Sequence, residues 1–394
     1  MISVRYILFV VLIAGISSLN PVAIDIFLPA MPAIAHAMAV DPGTLGITLG
    51  IFTIGTAFGQ IVFGPISDKF GRKPIIIFGL SIYVIAAIFA FYSSNIEELS
   101  LIRFVQGIGA ASGRIIGVAI VRDIYEKERA ARLLSNIWTV STIVPIINPF
   151  IGSALVLYFP WNSVFLFMAI FSGTLVLLTI FYFKETSKFK DPKALNPREL
   201  VKNFTQILIN RTFVVYTLIG SITMSSLYGF LAISSDLLIT QLNQSPATFA
   251  WQLAIVGFGS LTGSFISARL SIKFGINGVI KLGLCITAMS SLSFFILSIN
   301  GIFTALAIIA PFTIQRVGEA MISAQSMAGA ITPFPKKAGA SSSLLGFIRQ
   351  LIGACAAILV GYFSDGTTFP MVITCLFAGI TPGAIYLYFS REIS

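Results

Sequence analysis

Seven ionisable side chains (Asp25, Arg103, Arg114, Asp236, Arg316, Glu319 and Arg349) stand inside stretches that are otherwise apolar. A charge in hydrocarbon is costly, so it normally faces a bundle interior or a wet cavity. An isolated acid in such a place takes up a proton, and a nearby arginine favours the ionised form again. The chemistry on offer is therefore proton binding and release, with four bases and three acids to arrange it. Covalent chemistry is not indicated, because no segment carries paired catalytic carboxylates, an activated Ser/His or Cys/His set, or a metal cluster. His36 is the single histidine, and Cys285, Cys355 and Cys375 lack metal-ligand spacing, so neither a metal nor a cofactor is expected. No Gly-x-x-x-x-Gly-Lys-Ser/Thr loop occurs, which assigns the energy source to an ion gradient and not to ATP.

The elements that hold these charges follow from composition. Of 394 residues, 56% are hydrophobic and 10% charged, whereas soluble domains carry about 25% charged residues. Mean hydropathy is +0.94, and lipid must be the solvent. A spanning helix needs about twenty apolar residues. Twelve such stretches lie near 5–35, 44–66, 74–94, 97–121, 131–158, 161–184, 211–238, 247–270, 276–299, 302–332, 338–364 and 368–389. They are long, continuous and not alternating, which predicts helices and not a membrane β-barrel. The first run reads as a span and not as a removable signal peptide. The three cysteines, all in apolar runs, read as small buried hydrophobes.

A net charge of +10 could point to nucleic acid, but its distribution argues otherwise. Lys and Arg cluster at Lys69–Lys73, Arg122–Arg132, Lys184–Arg211, Arg269–Lys281 and Lys336–Lys337. The intervening loops, near Asp41, Glu97, Phe159, Gln241, Asn300 and Asp365, carry neither. That is the positive-inside pattern, with both termini cytoplasmic and an even number of spans. The partner is a bilayer.

The longest basic connection, 185–210, divides the chain into 1–184 and 211–394. Within it, Asn196-Pro197-Arg198-Glu199 sets an N-cap, a first-turn proline and a capping-box acid in order. Leu200, Val201, Phe204, Ile207 and Leu208 then recur on one helical face, predicting an interfacial amphipathic helix that tethers two halves; a disordered linker is the alternative. Ser67-Asp68-Lys69-Phe70-Gly71-Arg72-Lys73 after the second span is matched at four of seven positions by Ser271-Ile272-Lys273-Phe274-Gly275-Ile276-Asn277 after the eighth. Two pseudo-symmetric six-helix bundles are expected, the organisation of a secondary transporter.

Gly64-Pro65-Ile66-Ser67-Asp68-Lys69-Phe70-Gly71-Arg72-Lys73 resembles the signature loop of the major facilitator superfamily. By that resemblance Gly64, Asp68, Gly71 and Arg72 gate the conformational cycle, with Asp123 as the partner of Arg72. Arg103-Phe104-Val105-Gln106-Gly107-Ile108-Gly109-Ala110-Ala111 is similar to the superfamily's buried-arginine motif. Gly109, Gly113 and Gly117 follow at four-residue spacing as a smooth packing strip. Asp25, in Asn20-Pro21-Val22-Ala23-Ile24-Asp25-Ile26-Phe27-Leu28-Pro29-Ala30-Met31-Pro32, is similar to the bicyclomycin/chloramphenicol-resistance branch of drug:proton antiporters. Asp25 lies about 30 Å up the first span and Arg103 about 8 Å down the fourth, so both fall in the outer part of a core about 30 Å thick. This proton-coupling pair either moves together and apart or stays a permanently ionised structural pair.

Pro145-Ile146-Ile147-Asn148-Pro149-Phe150-Ile151-Gly152 resembles the antiporter motif through Pro145, Pro149 and Gly152, with Asn148 where a glycine is usual. Pro160-Trp161-Asn162-Ser163-Val164-Phe165 and Ala338-Gly339-Ala340-Ser341-Ser342-Ser343-Leu344 also fit the drug-resistance branch. Arg114, Gln106, Asp236, Arg316, Glu319 and Arg349 are the candidate substrate contacts; Arg114, eleven residues from Arg103, shares its side of the helix, and Arg316 and Glu319, three apart, either bind solute or neutralise each other. The expectation is a proton-coupled antiporter of a bacterial inner membrane, a monomer, exporting a small amphipathic or anionic compound. Import of a small organic solute on the same fold is the alternative, and a scaffold protein without transport the remaining one.

Overall fold

The computed structural model describes residues 4–125, 127–187, 190–192 and 194–389. Glu126, Lys188, Phe189 and Lys193, in the expected basic loops, and both chain ends lie outside that set. The first half runs α1 (Val4–Ser17), α2 (Leu19–Asp25), a 3-10 turn (Leu28–Ala30), α3 (Met31–Met38), α4 (Pro42–Phe70), α5 (Arg72–Tyr92), α6 (Ile96–Ile124), α7 (Lys127–Tyr158) and α8 (Ser163–Tyr182). Then come α9 (Pro197–Leu208), α10 (Arg211–Ser235), a π-turn (Asp236–Gln241), α11 (Pro246–Ile299), α12 (Ala305–Ile331), α13 (Ala338–Tyr362) and α14 (Phe369–Phe389). No strand occurs among the described residues. Among the described residues, ten helices are long and apolar enough to cross a membrane.

Two glycines with positive φ interrupt the long helices. Gly71, between α4 and α5, has φ 108° and ψ 161°. Gly275, inside the 54-residue α11, has φ 65° and ψ −177°. Both conformations belong to a region that essentially only glycine enters. An unbroken 54-residue helix would run about 80 Å, far beyond one bilayer crossing. Gly275 divides it.

The first apolar run, expected as one helix over 5–35, is instead four pieces. Proline explains the break: Pro29 has no N–H to offer the carbonyl of Asp25, and its ring crowds the preceding turn. Phe27 N–H bonds the Ile24 carbonyl at 3.1 Å, in a tighter turn than the α-helix. The Ala23 carbonyl thereby loses its regular helical partner. Asp25 is the last residue of α2.

The chain divides into two compact units, one of residues 1–30 and 51–202 and another of 31–50 and 203–394. In the first, α5 packs on both α6 and α8, and α1 and α2 lie against α6 and α7. Gly113 faces the Ile16 backbone and Gly117 faces Ser17, whereas Gly109 faces Tyr83 of α5. The four-residue spacing advances about 40° per step, so the expected single strip serves two neighbours.

In the second unit, α10 packs against α12, α13 and α14, and the segments of α11 against α12 and α14. The amphipathic segment is helical, with Asn196 Oδ1 accepting from Arg198 N–H at 3.0 Å. Ile207 joins a buried cluster with Phe213, Ile219 and Leu345, and Phe204 packs against it, while Val201 and Leu208 are exposed. Of the cysteines, Cys375 is buried, but Cys285 and Cys355 are exposed on the protein surface; a small apolar thiol has no need to avoid lipid.

Candidate functional site

Arg103 is fully buried in α6. Its Nη2 donates to the Ala23 carbonyl at 2.9 Å, the acceptor released by the break after α2. Its Nη1 donates to Gln106 Oε1 at 2.7 Å, one turn along the same helix. The rings of Phe27 and Phe52 lie 4.7 and 4.3 Å from the guanidinium carbon. A cation at a helix C-terminus meets the negative end of the helix dipole, and ring faces add cation–π attraction. Arg103 thus caps α2 from the side. Its Nε has no hydrogen-bond partner among the described residues.

Asp25 is also buried, and neither it nor Arg103 lies on an outer face. No ion pair joins them among the described residues. Arg103 instead spends its two terminal nitrogens on the freed Ala23 carbonyl and on Gln106. The Asp25 carboxylate accepts instead from Asn148 Nδ2 of α7 at 3.4 Å. One turn beyond Asn148 is Gly152, where a Cβ would lie 3.0 Å from Ile26 Cα and closer to its carbonyl oxygen. Gly152 lets α7 come into backbone contact beside Asp25, and Asn148 is presented there. Pro145 and Pro149 lie inside the same helix.

A second polar cluster closes the α4–α5 turn. Arg72 Nη1 contacts Asp68 Oδ1 at 2.5 Å, and Arg72 Nε contacts Asp123 Oδ2 at 2.9 Å. Ser67 Oγ accepts from Arg72 Nη1 at 2.8 Å. Glu185, after α8, accepts from the backbone N–H groups of Arg72 and Lys73 at 3.0 and 3.1 Å, capping α5 from a distant part of the chain. Partial burial pushes its carboxyl up, but the backbone N–H groups of Ser187, Arg72, Lys73 and Thr186 outweigh that and hold it below the usual carboxylate value. Gly64 lies one turn before Asp68, its carbonyl accepting from Ser67 Oγ.

In the second unit, Arg316 and Glu319 form an ion pair, with Arg316 Nε on Ser260 Oγ at 3.1 Å and Ser226 Oγ on Glu319 Oε2 at 3.2 Å. Arg349 Nε meets Met224 Sδ at 2.7 Å, and Nη2 bonds Ser323 Oγ. Asp236 is buried at the start of the π-turn, and its Oδ1 has no partner among the described residues. Arg114 is exposed although it shares the side of α6 that is closed over at Arg103.

Asn148 and Glu185 are the contacts that residue-type reasoning did not assign. Asn148 did leave a signal, as an amide in place of a usual glycine. Glu185 left none, because its partners are backbone groups.

A helical membrane protein whose first span breaks at a buried acid, beside a fully buried arginine, has the build of a solute transporter. The chain belongs to the Major Facilitator Superfamily, whose family model matches residues 13–357. It is 27% identical over 390 residues to the bicyclomycin resistance protein homolog of Haemophilus influenzae, covering 98% of this chain and 97% of that one. It is 30% identical over 349 residues to the multidrug resistance protein MdtL of a Shewanella species, covering 88% and 87%. Among solved structures it resembles a D-xylose-proton symporter with TM-score 0.78 and 14% identity, over 97% of each chain. A bacterial homolog of the human lysosomal transporter Spinster gives TM-score 0.75 at 17% identity, over 99% and 97%. Those two likenesses speak for the fold alone. The protein is a multi-pass membrane transporter of small molecules and not an enzyme.

Proposed function

We propose that the protein is a proton-coupled antiporter that exports a small amphipathic or anionic compound by alternating access. The observation that carries this reading is the break in the first span: Asp25 ends α2 in a buried position, with Arg103 beside it but bonded elsewhere. Discontinuous helices are where transporters of this type hold coupling ions. A buried carboxyl with one amide partner is costly to carry ionised and inexpensive to carry neutral, so it is suited to binding and releasing a proton. The resistance functions in the names of two relatives favour export of drug-like compounds. Gly64, Asp68, Gly71, Arg72 and Asp123 serve as the conformational latch. Gln106, Arg114, Asp236, Arg316, Glu319 and Arg349 are the candidate solute contacts.

Counting α11 as two spans, and α7 and the broken first run as one each, gives twelve. They form two six-helix bundles, 1–184 and 211–394, joined by 185–210. The protein works as a monomer in a bacterial inner membrane, with both termini cytoplasmic, a reading that the distribution of Lys and Arg supports.

The deciding experiment is flux in proteoliposomes across an imposed pH gradient, with wild type and Asp25→Asn compared. Asp25→Asn is expected to abolish proton-driven flux while remaining folded in the membrane; wild-type rates in that variant refute the proton role. The same assay with solute loaded on one side or the other separates export from import, the alternative on this fold.

A further inference from the structure

We infer that Asn148 is the hydrogen-bond partner that sets the proton affinity of Asp25, a positioning residue for the coupling step. This rests on the reading of Asp25 as the proton carrier. Asn148 and Gly152 are one turn apart on α7 and therefore share a face. Gly152 brings that face against the Ile26 backbone, and Asn148 Nδ2 reaches Asp25 Oδ2 at 3.4 Å. Both residues are buried.

The amide suits a group that changes protonation. A side-chain amide carries both a donor and an acceptor, so Nδ2 donates to the ionised carboxylate. After a half-turn about its terminal bond, Oδ1 accepts from the carboxylic acid. A glycine at 148, the usual residue of the resembled motif, does neither. The bond to the ionised form is the charge-assisted and stronger of the two. Losing the amide therefore raises the pH at which Asp25 releases its proton.

The other polar side chains that reach α2 bond its backbone carbonyls. Arg103 of α6 bonds the Ala23 carbonyl and Gln106. Tyr83 of α5 bonds the Leu19 carbonyl at 3.4 Å. Gln106 in turn bonds Met168 Sδ of α8, and neither α7 nor α8 presents a charged side chain at this level among the described residues. Among the described residues, the Asn148 amide is the one hydrogen-bonding side chain that meets the carboxylate directly.

The test is an infrared titration of the carboxyl band in reconstituted membranes, with Asp25→Asn identifying the Asp25 component and flux measured in parallel. Asn148→Ala and Asn148→Gly are expected to move that component, and the pH midpoint of flux, upward by about one unit, equivalent to a tenfold change in proton affinity. Asn148→Ser, which keeps a donor and an acceptor on a shorter arm, is expected to move it less. Using three variants guards against loss of one through misfolding. An Asp25 band present in wild type and unmoved in all three Asn148 variants overturns the inference while sparing the proton role of Asp25. No Asp25 component at all, with proton-driven flux intact in Asp25→Asn, overturns both.

Discussion

Replacing Gly71 and Gly275 by alanine compares one backbone conformation in two settings. Each φ/ψ pair lies where a Cβ brings strain of about 1–3 kcal/mol. At Gly275 nothing lies within 4 Å of an added Cβ, so strain is the whole effect. At Gly71 the same atom would sit 2.5 Å from Glu185 Oε2 and 3.1 Å from its Cδ. The carboxylate must then leave the N–H groups of Arg72 and Lys73. Loss of a helix N-cap costs about 0.5–2 kcal/mol, with the lower end expected because Glu185 is exposed and water replaces it. Gly71→Ala should therefore destabilise by about 0.5–1 kcal/mol more than Gly275→Ala. Urea denaturation in detergent micelles, followed by tryptophan fluorescence, reads the difference. In a Glu185→Ala background the excess should vanish, because the interaction it reports has already gone. Equal losses at the two glycines, or an excess that survives Glu185→Ala, refute the reasoning.

Arg103→Ala strands the Ala23 carbonyl and the Gln106 amide oxygen, at about 1–3 kcal/mol for each abandoned acceptor. Arg103→Lys should recover part of that loss in the same denaturation assay. The carboxyl of Glu185 is depressed in the folded state, so its stabilising contribution is complete above its ordinary value of 4.5 and disappears as pH falls below it. Wild type and Glu185→Gln should accordingly differ in stability at pH 7 and converge in acid. Arg349→Ala should weaken binding of an established solute, measured by calorimetry; unchanged affinity assigns Arg349 to its contacts with Met224 and Ser323.

Composition and charge distribution were enough to read a helical membrane protein, because hydrocarbon excludes every other use of so many apolar residues. The Gly71 loop and the Arg103 motif carried the family, since a positive φ and a buried cation each restrict residue choice severely. The break at Asp25 was written in Pro29, yet the apolar run around it still read as one span. Proline tells where a hydrogen bond is missing, not which side chain replaces it. Depth arithmetic set Asp25 and Arg103 at similar heights but said nothing of azimuth. The arginine went to a backbone carbonyl, and a backbone acceptor leaves no mark in a sequence. Glu185 was unreadable for the same reason.

The division of labour around α2 bears on how a proton could drive transport. Had Arg103 formed an ion pair with Asp25, the pair would be neutral and dry, and protonating the acid would strand a bare guanidinium. Here the cation is carried by a helix end, an amide and two aromatic rings, none of which titrates near neutrality. Those contacts persist whichever form Asp25 adopts. Protonation then changes one local contact, the hydrogen bond to α7, at the point where that helix touches the α2 backbone through Gly152. A change of charge at a backbone-to-backbone contact alters which helix position is favoured. That is the coupling an antiporter needs: a protonation step whose cost depends on how two helices are placed.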